Sequence, residues 1–337
     1  MNTEPAKRKE IQVKNYHSGA RGRIKSVEGE YYGFEMEVDF PGKSMRARAA
    51  VVPNGNVPRS RYQLDAERDG SLNESGVELI TKRPLKVTEI RGKWMQSTLA
   101  RMKDEMGVQP GKQPNNYGLH VNVNLQGMSL EETIAFLATL NFAMSTEKVQ
   151  RTIMERGNTY QGLEQNITRM INCATGARNQ STYATNKYSA IANYGYGQTM
   201  QDMILPKTRS NYAGIRLAKA PIAEVRGFHM NTDLEQFKIK ADLVQKARRF
   251  ANKNTKEMIL LLADSVETNV NKICVLGNDG KEELLNRILD TPLTQELTTV
   301  QVELPEHAKN MINYVKAIFD QGYMPRLDEN KVLRARK

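Results

Sequence analysis

The stretch Gly33-Phe34-Glu35-Met36-Glu37-Val38-Asp39-Phe40 alternates apolar and acidic residues along its length. In an extended chain successive side chains point to opposite faces, so Phe34, Met36 and Val38 share one face and Glu35, Glu37 and Asp39 the other. Alternation of this kind predicts a strand whose apolar face lies on a core. Read alone, the acidic face is either the solvated side of an antiparallel strand or part of a metal site. Asp39 either joins that set or marks the exposed strand end.

Three further segments carry the same pattern. They are Arg68-Asp69-Gly70-Ser71 running on to Glu78-Leu79-Ile80, then Gly118-Leu119-His120-Val121-Asn122-Val123, then Ile222-Ala223-Glu224-Val225-Arg226-Gly227. Alternation sets His120 opposite Leu119 and Val121, and places Glu224 and Arg226 together with Ala223 and Val225 behind them. A sheet with one face on a core and carboxylates on the other would hold divalent cations and, through them, phosphates. Asp69-Gly70 favours a tight turn, so Arg61 to Leu64 and Gly76 to Ile80 read as the arms of a hairpin.

Helices are predicted where caps and periodicity agree. Ser129-x-x-Glu132 is a capping-box pattern with Leu130, Ile134, Leu137 and Phe142 behind it, and Thr232-x-x-Glu235 repeats it before Leu234, Phe237, Ala241 and Val244. Further helices are expected near 146–156, 256–270, 282–290 and 306–320, with a strand around Thr298 to Leu304. From Ala174 to Tyr212 the chain is rich in Asn, Ser, Thr, Gly and Tyr, which reads either as a functional loop or as a disordered insertion.

The 337 residues suffice for a core that needs no staples. Cys173 and Cys274 form no C-x-x-C pair, which argues against structural zinc and a disulfide framework and for a reducing interior. No apolar run approaches the roughly 18–20 residues of a membrane span, and Met1 to Glu10 does not read as a signal peptide. The expectation is a soluble cytoplasmic protein with no membrane partner. The net charge is +11, of which residues 1–28 supply +4 and residues 322–337 supply +3. Such basic tails either dock on nucleic acid or an acidic assembly, or are solvated termini.

Taken in order, G-F-E-M-E-V, D-G-S-L with Glu78 beyond it, G-L-H-V and E-V-R-G-F resemble the amidoligase family, carboxylate–amine ligases with a glutamine synthetase-like catalytic domain. The resemblance spans roughly residues 30–250 and rests on the order and spacing of four motifs. It implies an α+β fold, a curved antiparallel sheet with helices on its apolar face. It also implies a catalytic domain over 29–254, between a basic tail at 1–28 and a mostly helical region at 255–321, with a second basic tail at 322–337. The motif positions imply Glu35, Glu37, Glu78, His120 and Glu224 as ligands of Mg²⁺ or Mn²⁺ around ATP. Arg226 would face a phosphate or acyl phosphate, so Arg226, Glu37 and Glu224 would be catalytic. Arg209 and Arg216, which flank Asn211-Tyr212, either help to bind ATP and the substrate carboxylate or belong to an exposed basic loop. Two positions depart from the family pattern: Asn122 stands where a second histidine is frequent, and Val225 where phenylalanine is usual. Neither removes a ligand.

The reaction so implied is ATP-dependent amide-bond formation through an acyl phosphate, from carboxylate and amine substrates that are small molecules or peptides. Two alternatives stay open. One is phosphotransfer without ligation, since fold does not fix function. The other is a non-enzymatic protein that uses the same scaffold and its basic tails to bind nucleic acid or an assembly, with a steep salt dependence.

Overall fold

The computed structural model describes residues 13–14, 28–39, 64–67, 69, 72, 76–81, 83–104, 108, 117–155, 215–216, 221–267, 277–294, 296–298, 301–318, 326–327 and 333–334. Mixed helix and strand form an α+β arrangement built on an open sheet. Its strands are β1 (Val13–Lys14), β2 (Tyr32–Asp39), β3 (Leu64–Glu67), β4 (Gly76–Thr81), β5 (Gly118–Asn124), β6 (Ile215–Arg216) and β7 (Ile222–His229), in the spatial order β1-β3-β4-β2-β5-β7-β6. The five longer strands are antiparallel to their neighbours, whereas β1 pairs parallel with β3. A separate antiparallel pair joins β8 (Arg326–Leu327) to β9 (Leu333–Arg334). Short pairings therefore occur within both basic end regions; the rest of those regions, apart from Glu28, lies outside the described residues, as do Cys173, Cys274 and residues 174–212.

The helices are α1 (Val87–Arg91), α2 (Lys93–Asp104), α3 (Leu130–Ser145), α4 (Glu147–Thr152), α5 (Leu234–Lys253), α6 (Thr255–Glu267), α7 (Gly277–Leu289) and α8 (Glu306–Ile318). Phe34, Met36, Val38, Leu79, Leu119, Val121, Ala223 and Val225 face a continuous hydrophobic core that runs through α3 and α5 to Val315 on α8. Phe34 meets Phe237 of α5 at a centroid distance of 4.9 Å and a 54° tilt, a favourable aromatic geometry. None of the helices described is long and apolar enough to cross a membrane.

Local chemistry sets the helix ends. Ser129 and Glu132 form the predicted capping box: Ser129 Oγ accepts from Glu132 N at 3.1 Å, and Glu132 Oε2 accepts from Ser129 N at 2.8 Å. Ser129→Ala removes one of these bonds and should lower unfolding free energy by about 1 kcal/mol. A denaturant midpoint identical to that of the parent would contradict this.

Other expectations shift. Asp233, not Thr232, caps α5, because its Oδ1 accepts from the backbone N of Glu235 and of Gln236, both at 3.0 Å. Asn231 Oδ1 accepts from Asp233 N at 2.9 Å and closes the turn that places this carboxylate at the helix start. The helix expected over 146–156 is the shorter α4, because Thr146 caps it and Glu155 adopts a positive φ of 57°. The strand expected around Thr298 to Leu304 is not formed by the described residues there, 298 and 301–304. Asn252 on α5 instead takes both backbone groups of Thr298, donating to its O at 2.7 Å and accepting from its N at 3.2 Å. That side-chain amide does the work of a partner strand. The first arm of the hairpin is Leu64–Glu67, further along the chain than expected, and Leu72 N donates to Asp69 O at 3.2 Å on the way to β4, in keeping with a turn at Asp69.

Candidate metal centre

The sheet face opposite the core carries acids in register. Glu67, Glu78 and Glu37 are Cα partners across β3, β4 and β2, and Glu35 is the partner of His120 across β2 and β5. Asn122 of β5 is the partner of Glu224 on β7, which in turn pairs with Arg216 of β6. Cross-strand partners share a face, so the alternation read from β2 carries across the whole sheet. Like charges directly opposite one another destabilise a sheet, and here three glutamates stand in one row.

Burial rules out a solvated strand face. Glu35 is fully buried, and Glu37, Glu67, Glu78, Glu224 and His120 are buried as well. Ile80 and Ile222 are buried on this same face, so water is excluded from both sides of the sheet. Removing a carboxylate from water costs several kcal/mol unless it is paired. Among the described residues the guanidinium of Arg226 lies beside these glutamates: its side chain is 11% exposed and its Nη1 is 3.9 Å from Glu224 Oε1. Burial alone would lower the Arg226 pKa, but the carboxylates of Glu224, Glu37, Glu35 and Glu78 outweigh it and hold it above the usual arginine value. Arg226 is therefore a fixed cation among these acids.

His120 lies at the centre. Its Nδ1 is 3.5 Å from Glu35 Oε2, 3.6 Å from Glu224 Oε1 and 4.0 Å from Glu78 Oε1, and its Nε2 is 3.9 Å from Glu37 Oε1. These separations are long for hydrogen bonds. Those at Nδ1 suit ligands of a shared ion: around a metal with bonds of about 2.1 Å, ligand atoms lie roughly 3–4 Å apart. Glu35, His120 and Glu224 can each turn one ligand atom to within 4.8 Å of the other two. Carboxylate oxygens with one imidazole are donors suited to a divalent cation.

Two backbone features position this set. Gly118 N donates to Glu37 Oε2 at 2.5 Å, and a Cβ on Gly118 would stand 3.1 Å from His120 Nε2 and 3.4 Å from Glu37 Oε2. A side chain there would crowd both groups. Beside it the β5–β7 register slips: Leu119 pairs with Phe228 and Val121 with Val225, so Arg226 and Gly227 together oppose His120. This two-against-one bulge bends β7 locally and re-aims Arg226 beside the acids.

The structure thus gathers Glu35, Glu37, Glu78, His120, Glu224 and Arg226 on one buried face. Arg216 enters by register alone, and Arg209 lies outside the described residues. Asp39, partly buried at the end of β2, pairs with Gly76. Glu67 is the acid that the sequence reading missed, although Leu64-Asp65-Ala66-Glu67 alternates like the other strands.

No protein-family model matches this sequence, and no curated protein matches it.

Proposed function

We propose that the protein is an ATP-dependent carboxylate–amine ligase, with a glutamine synthetase-like sheet that holds Mg²⁺ or Mn²⁺ against the phosphates of ATP. The observation that carries this reading is the burial of Glu35, Glu37, Glu67, Glu78, Glu224 and His120 beside Arg226 on a single sheet face. Buried carboxylates in that number have a physical reason to persist when they hold cations. Glu35, His120 and Glu224 form one ligand group. The row Glu67, Glu78 and Glu37 brings three further carboxylates to the same face.

Bound divalent cations would supply charge neutralisation at the phosphate oxygens. The chain's own residues do the rest. Glu37, fixed by Gly118 N, and Glu224, on the bulged strand, hold the ligand geometry from opposite sides of His120. Arg226 presents a permanent positive charge and a planar donor fork that fits two phosphate oxygens. Burial of this face would keep water from an acyl phosphate, which hydrolysis would otherwise waste. The γ-phosphoryl group passes from ATP to the substrate carboxylate, releasing ADP. The amine then attacks the acyl carbon, and the C–O bond to phosphate breaks as the amide forms.

The test is ATP-to-ADP turnover with Mg²⁺, run with panels of carboxylates and amines, read by mass spectrometry, with Glu35→Ala as the control. The expected result is turnover that needs Glu35, with a product lighter by one water than its two substrates combined. A product that stops at the phosphorylated carboxylate would replace ligation with phosphotransfer. A protein that binds no nucleotide and binds polyanions with a steep salt dependence would replace catalysis with assembly or nucleic-acid binding.

A further inference from the structure

We infer that Asn122 is a positioning residue for the metal centre, orienting Glu35 through its amide N–H and offering its amide oxygen to a water carried by the bound cation. The inference rests on the metal reading above. Asn122 is 7% exposed and lies two residues beyond His120 on β5, with Gly33 of β2 and Glu224 of β7 as its cross-strand partners. Its Nδ2 donates to Glu35 Oε1 at 3.0 Å. With its NH₂ group turned to Glu35, the amide has Oδ1 left as an acceptor.

That orientation has two consequences. With Oε1 fixed by Asn122, the other oxygen of Glu35 is the one facing His120 Nδ1, at 3.5 Å. The carboxylate is thereby held in a rotation that presents Oε2 to an ion shared with His120 and Glu224. The second consequence concerns Oδ1, which is buried and meets no hydrogen-bond donor among the described residues. A buried acceptor left without a donor costs about 1–3 kcal/mol. Mg²⁺ and Mn²⁺ keep part of their hydration shell, and a metal-bound water is a strong donor. Hydrogen bonds of this outer kind typically change metal affinity by about 10–100-fold.

The experiment is a Mn²⁺ titration of the full chain, following free Mn²⁺ by its electron paramagnetic resonance signal, with thermal unfolding of the metal-free proteins alongside. Asn122→Leu keeps similar bulk and removes both polar atoms. It should bind Mn²⁺ about 10–100-fold more weakly while the metal-free protein still unfolds in one cooperative thermal transition. A titration that overlays the parent overturns the inference. Should the leucine variant not fold, Asn122→His decides: an imidazole N–H can take over the bond to Glu35, so its affinity should stay within about threefold of the parent. A folded histidine variant that binds tenfold more weakly overturns it as well. A parent chain that binds no Mn²⁺ overturns both this inference and the metal reading. Parent binding that is lost in Glu35→Gln but unchanged in Asn122→Leu removes only the role of Asn122.

Discussion

Glu35→Gln should abolish Mg²⁺-dependent ATP turnover, by about 10³-fold or more, while leaving the metal-free protein at least as stable as its parent. The first half follows from position. Glu35 accepts from Asn122, faces His120 Nδ1 at 3.5 Å and belongs to the triad with Glu224. Losing one carboxylate from the set forfeits several kcal/mol of charge stabilisation, and each 1.36 kcal/mol is worth about tenfold in rate. The second half follows from the surrounding charge. Glu35 is buried among Glu37, Glu78 and Glu224, all near His120, so a neutral amide of the same shape relieves repulsion. The two effects have opposite signs, and calorimetry separates them. For the parent, Mn²⁺ at one hundred times its Kd should add about 2.7 kcal/mol of stability, and in Glu35→Gln most of that gain should vanish. A variant that loses activity because it loses its fold would instead show a lower metal-free Tm.

Strand alternation made the main strands legible because each carries a period-2 pattern with a strong apolar half. Phe34, Met36 and Val38 on β2, and Leu119, Val121 and Val123 on β5, fix which face meets the core, and the acids follow on the other. Three things were not legible. The burial of the acidic face depends on tertiary cover, which alternation cannot report: Glu35 and Glu37 read equally well as a wet strand. The bulge at Arg226 and Gly227 exists only as a two-against-one pairing with His120, a relation between strands far apart in sequence. Glu67 was missed because β3 is short and its apolar half is only Leu64 and Ala66. Helix α2 was not expected from the sequence, although Met95, Leu99 and Met102 fall at helical spacing and are buried.

Arg226→Ala should lower turnover by about 10²–10³-fold while ATP affinity changes far less, the signature of a group that acts on charge developing in the transition state. Arg226 is well placed for such a role. The bulge sets it beside Glu224, and its Nε meets no acceptor among the described residues, so the guanidinium retains a donor for an incoming phosphate. Its charge is secure, since the surrounding carboxylates more than offset the cost of burial. The alternative role is structural, with Arg226 as the counter-ion that lets the glutamates be buried at all. Mn²⁺ binding distinguishes the two. Removing a positive charge from beside the metal ligands lessens repulsion of an incoming cation, so Arg226→Ala should bind Mn²⁺ as tightly as the parent or more so. Were the arginine needed to assemble the ligand set, Mn²⁺ affinity would collapse together with turnover. Full Mn²⁺ binding combined with lost turnover would place Arg226 at the reacting phosphate, where a planar, permanently charged fork is worth more than a lysine in its place.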